Sequence, residues 1–194
     1  GMYIGTTGPK GFHHILWEIV DNAIDEISSG YGDTINITIN QDGSATVEDN
    51  GRGIPVDIHP TMKKSGVEVV YTTLHAGGKF NTANYKFSGG LHGVGASVTN
   101  ALSLWCDVTV YRDGKEHNMR FASKEGADGK IHGGVVEKPL TVVGKANKTG
   151  TKVTFMPDER IFGKQEFSFD VISRRARELA FLNKNLKINI IDKI

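Results

Sequence analysis

Hydrophobic and polar positions alternate along this chain with two distinct periods. After a glycine-framed stretch, Gly8 to Gly11, that reads as loop, apolar residues fall at Ile15, Leu16, Ile19, Val20, Ala23, Ile24 and Ile27. That spacing predicts a helix over His13–Ser28 with one apolar stripe. The glycines of "SSGYGD" end it. "TINITIN" and "SATVED" then alternate with period two around a "QDG" turn, which predicts a hairpin. "NGRGIPVDIHP" reads as a loop, and "SGVEVVYTTLHA" as a short helix opened by Ser65. Residues 77–93 are glycine-rich and weakly patterned, a candidate mobile loop. Val94 to Leu102 returns to helical spacing. "LWCDVTVYR" and "KEHNMRFAS" form a second strand–turn–strand unit around "DG", and "EGADGKIHGG" reads as polar loop. "VVEKPLTVV", "GTKVTFMPD" and "LKINIID" are further strands, with "FSFDVISRRARELAFLNKN" an amphipathic helix before the last. Helices and antiparallel hairpins alternate without a regular βαβ rhythm. The expected fold is therefore α+β, a two-layer sandwich of a mixed, mostly antiparallel sheet under helices.

Composition narrows the class. With 194 residues the chain can bury the core of one domain. No apolar run is long enough for a membrane helix, and the first residues lack a basic segment followed by an apolar one. The one cysteine, Cys106, lies in a strand pattern and excludes an internal disulfide framework. Together these suggest the cytoplasm and no membrane partner. A net charge of +1 lacks the basic excess of a domain that grips nucleic acid by its backbone. The local surplus at Arg174, Arg175, Arg177, Lys184 and Lys187 reads as a solvated helix face.

Three stretches carry candidate chemistry. In "HHILWEIVDNAIDE", Glu18, Asn22 and Glu26 recur at four-residue spacing and project from neighbouring helix positions. On a helical wheel Glu26 falls between Ile15 and Ile19, so its carboxylate needs a buried partner. The amide oxygen of Asn22 suits a hard cation such as Mg²⁺. In "VEDNGRGIP", Asp49 ends a strand where Gly51 and Gly53 let the backbone turn sharply. An ionised carboxylate only accepts hydrogen bonds, so it could take the exocyclic amine of adenine and reject the carbonyl of guanine. A plain Asp-Asn-Gly turn is the alternative. In "GGLHGVG", glycine N–H groups followed by a helix start could wrap an anion, although no P-loop Lys-Ser/Thr follows.

In this order the motifs "EIVDNAIDE", "DNGRGIP", "GGLHGVGASVTNALS" and "TGTKVTFMPD" resemble the GHKL ATPase superfamily, which also holds chaperones and mismatch-repair clamps. "MYIG", "LHAGGKF", "YKFSGGLHGVG" and "RELAFLN" look like one branch of it, the ATPase domain of bacterial type IIA topoisomerases, carried by the B subunits of DNA gyrase and of topoisomerase IV. The resemblance is weakest over Ser123–Asn147, which reads mostly as loop.

The resemblance implies a sheet of about eight strands with ATP between the helices. It implies that Glu18 is the catalytic glutamate, that His14 helps orient it, that His13 is structural, and that Asn22 ligates Mg²⁺. Asp49 and Thr151 would read adenine, with Gly53, Ile54 and Pro55 walling the pocket. Tyr85 would contact the base and Lys79 a phosphate. Gly90, Leu91, His92, Gly93, Val94, Gly95 and Ala96 would cradle the phosphates. Glu26 would pair with Arg52, and Arg52 and Arg112 would stand at the pocket mouth where aminocoumarins bind.

Residues 1–194 would then be one N-terminal ATP-binding domain, lacking the arm and the transducer domain of a full subunit. Such a fragment would be monomeric and turn ATP over slowly. DNA and the A-type, DNA-cleaving subunit, in a heterotetramer, would be partners of the full-length protein.

Overall fold

The computed structural model describes residues 7–73 and 93–194. The first helix, α1, spans Pro9–Ser28. It begins four residues before the pattern suggested, so the loop expected at Gly8–Gly11 is in fact the helix start. Gly8 takes the extended N-cap conformation and Pro9 the first helical position, where a missing N–H costs nothing. Phe12, Ile15, Leu16, Ile19, Val20, Ala23 and Ile27 are all buried along its stripe.

Strand β1 (Thr34–Ile39) and strand β2 (Ala45–Asp49) form the first hairpin. Helix α2 (Gly66–Thr72) starts at Ser65, whose hydroxyl accepts from the Glu68 N–H. Helix α3 spans Gly93–Ala101. Strands β3 (Ser103–Arg112) and β4 (Lys115–Glu125) follow, joined through Asp113 and Gly114, both with positive φ as a tight hairpin turn requires. Strand β5 runs Ile131–Lys145, 15 residues long. Two expectations are corrected here: Ile131–Gly134 is strand, and the stretch from Ser123 to Asn147 is a long β-hairpin. Cross-strand bonds to β4 override the weak polar pattern. Strand β6 (Gly150–Pro157), a short helix α4 (Glu159–Phe162), helix α5 (Phe169–Leu182) and strand β7 (Lys187–Asp192) complete the chain.

The strands form one sheet in the order β5-β4-β3-β6-β2-β1-β7. Every pairing is antiparallel except β1 with β7. This is the expected mixed α+β architecture. The described residues contain seven strands rather than about eight, because the seven alternating segments of the sequence each form one strand. The inward residues of the strands join the apolar sides of α1, α2, α3 and α5 in a single core. His13 is buried there and acts as a strut. Its Nδ1 bonds the Pro9 carbonyl at 2.8 Å and its Nε2 accepts from the Ser168 N–H at 3.0 Å, tying α1 to the start of α5. Arg174, Arg175 and Arg177 lie on α5 and all three reach solvent, as the charge pattern suggested. No helix among the described residues is long and apolar enough to cross a membrane.

Candidate functional site

Two carboxylates on α1 have different surroundings. Glu18 is half-buried and its Oε1 takes the Nε2 of His14 at 2.7 Å, one helical turn earlier. The other side of the Glu18 carboxylate lies against the first turn of α3. A Cβ at Gly95 would overlap it and stand 3.0 Å from the Glu18 Cβ. The carboxylate therefore sits at the end of a helix where N–H groups lack intrahelical partners and the dipole is positive. Asn22 follows one turn after Glu18, partly exposed.

Glu26 is buried, as the helical wheel required, and its partner is Arg52. The Arg52 backbone N–H and Nε both reach Oε2, at 2.7 and 3.2 Å, and Nη2 reaches Oε1 at 2.8 Å. The Arg52 guanidinium also lies 3.8 Å from the ring centre of Tyr31, a cation–π contact. Hydrogen bonds and charge from Glu26 raise the Arg52 pKa above its ordinary value.

Asp49 ends β2 and is held differently. Gly51 N–H donates to its Oδ1 at 2.8 Å, and the Thr151 N–H also bonds it. Burial pushes its carboxyl up to about 7; the two N–H groups pull the value down, while Glu26 and Glu48 push it up. Part of Asp49 nevertheless remains accessible to solvent. The carboxyl is therefore crowded but not sealed off from solvent.

The glycines around Asp49 are set by contact. A Cβ at Gly51 would run into the Glu26 side chain, and one at Gly150 into the Asp49 carbonyl. Gly53 has φ +87 and would place a Cβ 2.9 Å from the Tyr111 carbonyl. Just beyond it, the buried Ile54 N–H donates to the Thr151 hydroxyl at 3.0 Å. Having accepted that bond, the hydroxyl must aim its own proton elsewhere. Arg112 caps the turn, its Nη1 donating to the Gly53 carbonyl at 2.6 Å. Tyr31, Asn50, Arg52, Arg112, Asp113 and Thr149 help to line a cleft of about 370 Å³ at this edge.

The structure thus brings Asp49, Gly53, Ile54 and Thr151 together, with Arg52 and Arg112 on one rim. Glu18, His14 and Gly95 form a second group, with Asn22 next to it on α1. Ala96 is buried beside Gly95 in α3, and Pro55 is half-buried after the turn. Gly93 and Val94 belong to α3 by backbone. Lys79, Tyr85, Gly90, Leu91 and His92 lie outside the described residues. Sequence pattern does not single out Tyr31 or Gly150. Gly150 stands next to Thr151 inside "TGTKVTFMPD", so its spacing is a usable signal. Tyr31 has none, since its stacking on Arg52 is a tertiary contact.

Among known proteins, the family model described as "Histidine kinase-, DNA gyrase B-, and HSP90-like ATPase" matches residues 7–161. Over 192 residues the chain is 55% identical to the B subunit of the type 2 topoisomerase of Aquifex aeolicus, covering 99% of this chain and 23% of that protein. It is 52% identical to the B subunit of the DNA gyrase of Thermotoga maritima, over 100% of this chain and 29% of the relative. Identity to the B subunit of the DNA topoisomerase 4 of Staphylococcus aureus is 55%, over 99% of this chain and 28% of that protein. A solved structure, the 43K ATPase domain of Thermus thermophilus gyrase B in complex with an aminocoumarin, superposes with a TM-score of 0.84 at 48% identity. The match covers 99% of this chain and 46% of that one. The chain spans about a quarter of the length of these curated relatives, between 23% and 29%. With most of its length matched by that model and the same fold and motifs in these relatives, the chain belongs to the histidine kinase-, DNA gyrase B- and HSP90-like ATPase family.

Proposed function

We propose that this chain is the ATP-binding and ATP-hydrolysing domain of the B subunit of a type IIA DNA topoisomerase, a DNA gyrase, whose ATP turnover powers strand passage and supercoiling. The observation that carries the reading is Asp49, a partly exposed carboxyl held by backbone N–H groups with no cation paired to it among the described residues. Its free acceptor suits the exocyclic amine of adenine, and the Thr151 hydroxyl beside it supplies a second polar contact.

In the second group, Glu18 accepts a hydrogen bond from the attacking water and polarises it toward the terminal phosphate, with His14 fixing the carboxylate rotamer. The N-terminal turn of α3, around Gly93, Val94, Gly95 and Ala96, presents backbone N–H groups to phosphate oxygens. In the proposed site Lys79, Gly90, Leu91 and His92 would extend that contact set to further phosphate oxygens, and Tyr85 would contact the base.

Mg²⁺ fits the donors present. Among the described residues no group of three or more His, Cys, Asp or Glu could hold a metal. The amide oxygen of Asn22, one turn after Glu18 on α1, is the hard donor that would hold Mg²⁺. When bound, Mg²⁺ would neutralise phosphate charge.

DNA and the A-type subunit are the proposed partners in a full-length heterotetramer, and the cytoplasm the proposed location. This chain alone is proposed to be monomeric and slow in turnover. An aminocoumarin is proposed to bind at the Arg52–Arg112 rim, by analogy with the aminocoumarin complex of Thermus thermophilus gyrase B. The topoisomerase IV relative is as similar as the type 2 topoisomerase of Aquifex aeolicus, so decatenation by a topoisomerase IV is the second reading.

The test is reconstitution of the full-length subunit with its A-type partner. ATP-dependent supercoiling of relaxed plasmid, lost in Glu18→Ala, is the expected result. Decatenation without supercoiling would establish the second reading. Unchanged ATP hydrolysis in Glu18→Ala would overturn the role of Glu18.

A further inference from the structure

Helix α3 is tied to α1 and α2 by side chains that the ATPase reading does not use. Thr99 is fully buried, and its hydroxyl donates to the Ile15 carbonyl at 2.8 Å. Ile15 lies in the turn of α1 between His14 and Glu18. Its carbonyl already belongs to the helix ladder, so Thr99 engages the second lone pair. Gly95 is four residues before Thr99 and therefore on the same side of α3. One side of α3 thus places a hydroxyl on the backbone of the His14–Glu18 turn and a bare Cα against the Glu18 carboxylate.

The neighbouring residue fixes the helix from another direction. Asn100 is 2% exposed, and its Nδ2 donates to the Tyr71 carbonyl at 2.8 Å, in the last turn of α2. The strand start at Gly133 presses on the Ala101 carbonyl so closely that a Cβ there would collide. Rotating α3 about its axis would break the Asn100 bond, and sliding it along α1 would break the Thr99 bond.

We propose that Thr99 is a positioning residue for Glu18: its bond to the Ile15 carbonyl sets the distance between the His14–Glu18 turn and the N-terminal turn of α3. This rests on the reading of Glu18 as the hydrolytic glutamate. A carboxylate that orients water must be held within a fraction of an ångström, and a shift in its backbone turn lowers the rate while leaving the base pocket unchanged.

The test compares Thr99→Val, equal in shape but lacking the hydroxyl, with Thr99→Ser, which keeps it. Steady-state ATP hydrolysis is measured in the full-length protein with its partner and DNA. Affinity for a non-hydrolysable ATP analogue is measured alongside. The expected result is a kcat about threefold to tenfold lower in Thr99→Val, as loss of one buried hydrogen bond allows. Analogue affinity stays within about twofold and Thr99→Ser restores kcat, the pattern of an interaction felt in the transition state.

A Thr99→Val kcat equal to the parent's would overturn the proposal. So would affinity falling in step with kcat, or a Thr99→Ser variant as slow as Thr99→Val. Glu18→Gln is run in parallel. If it hydrolyses ATP like the parent, the reading of Glu18 fails; if it is inactive while Thr99→Val is normal, only the positioning role fails.

Discussion

Glu26 and Asp49 are acidic side chains in the same part of the molecule, yet they face opposite electrostatic conditions. Glu26 is enclosed and receives three hydrogen bonds from Arg52, two of them from its guanidinium. Asp49 receives bonds from the backbone N–H groups of Gly51 and Thr151 and stands with its carboxyl pushed up to about 7. The fold spends an arginine and the ring of Tyr31 on one carboxylate and leaves the other without a cation among the described residues. The difference separates an acid that holds structure from an acid kept available for a ligand. A completed ion pair has nothing left to offer an incoming group. A carboxyl under desolvation stress regains favourable interactions when a donor arrives.

Breaking the Glu26 side of the contrast has the largest expected effect. Arg52→Ala strands the buried Glu26 charge with one backbone donor and should cost about 3 kcal/mol, read from denaturant midpoints. An unchanged midpoint would remove Glu26 from the structural class.

The Asp49 side should respond with the opposite sign. Its folded pKa of about 7 lies above the ordinary value of 3.8, so between those two values the folded protein keeps a proton that the unfolded chain has released. The contribution of Asp49 to stability is therefore lost as pH rises through that window and levels off above it. Asp49→Asn has no such slope. It should be more stable than the parent at pH 8, with the two converging toward pH 4. The expected gain is on the order of 2 kcal/mol, set below the full linkage value because Asp49 is partly open to solvent. Thermal melts of both proteins at both pH values decide it, and a difference between them that does not change with pH would refute the strain on Asp49.

Two smaller changes sharpen the picture. Thr151→Val leaves the buried Ile54 N–H without its acceptor and should cost about 1 kcal/mol in a denaturant melt. Arg112→Ala removes a half-exposed guanidinium from the Gly53 carbonyl and should cost about 0.5 kcal/mol.

The burial of Glu26 is legible in the sequence because a helical wheel needs only the 3.6-residue period. Its pairing with Arg52 follows from the family resemblance, and the backbone contacts explain it: Gly51 lets the chain pass directly over the Glu26 side chain. Asp49 is legible as a strand end entering a glycine turn, but a turn alone does not show how crowded the carboxyl is. The contacts that enclose it include Gly150, packed on its carbonyl, and the Thr151 N–H on its carboxyl, both about a hundred residues away in sequence. The start of α1 is hidden because the glycines at 8 and 11 look like loop punctuation, and the signal that outweighs them is Pro9 at the first helical position. The core of strand β5, Val135–Val143, is legible as a strand, but its start at Ile131–Gly134 is hidden by the glycines of a polar loop pattern, and its order there comes from pairing with β4. Tyr31 and Thr99 act wholly through tertiary contacts, for which local pattern carries no sign.

Asp49 is kept unpaired, on this account, in order to read adenine. The most direct measurement is a calorimetric titration of this chain with non-hydrolysable ATP and GTP analogues in Mg²⁺, repeated with Asp49→Asn. Saturable binding of the adenine compound alone is predicted, weakened in the variant by about 1–3 kcal/mol while the variant stays folded. Equal binding of both nucleotides, or full adenine affinity in Asp49→Asn, would contradict it.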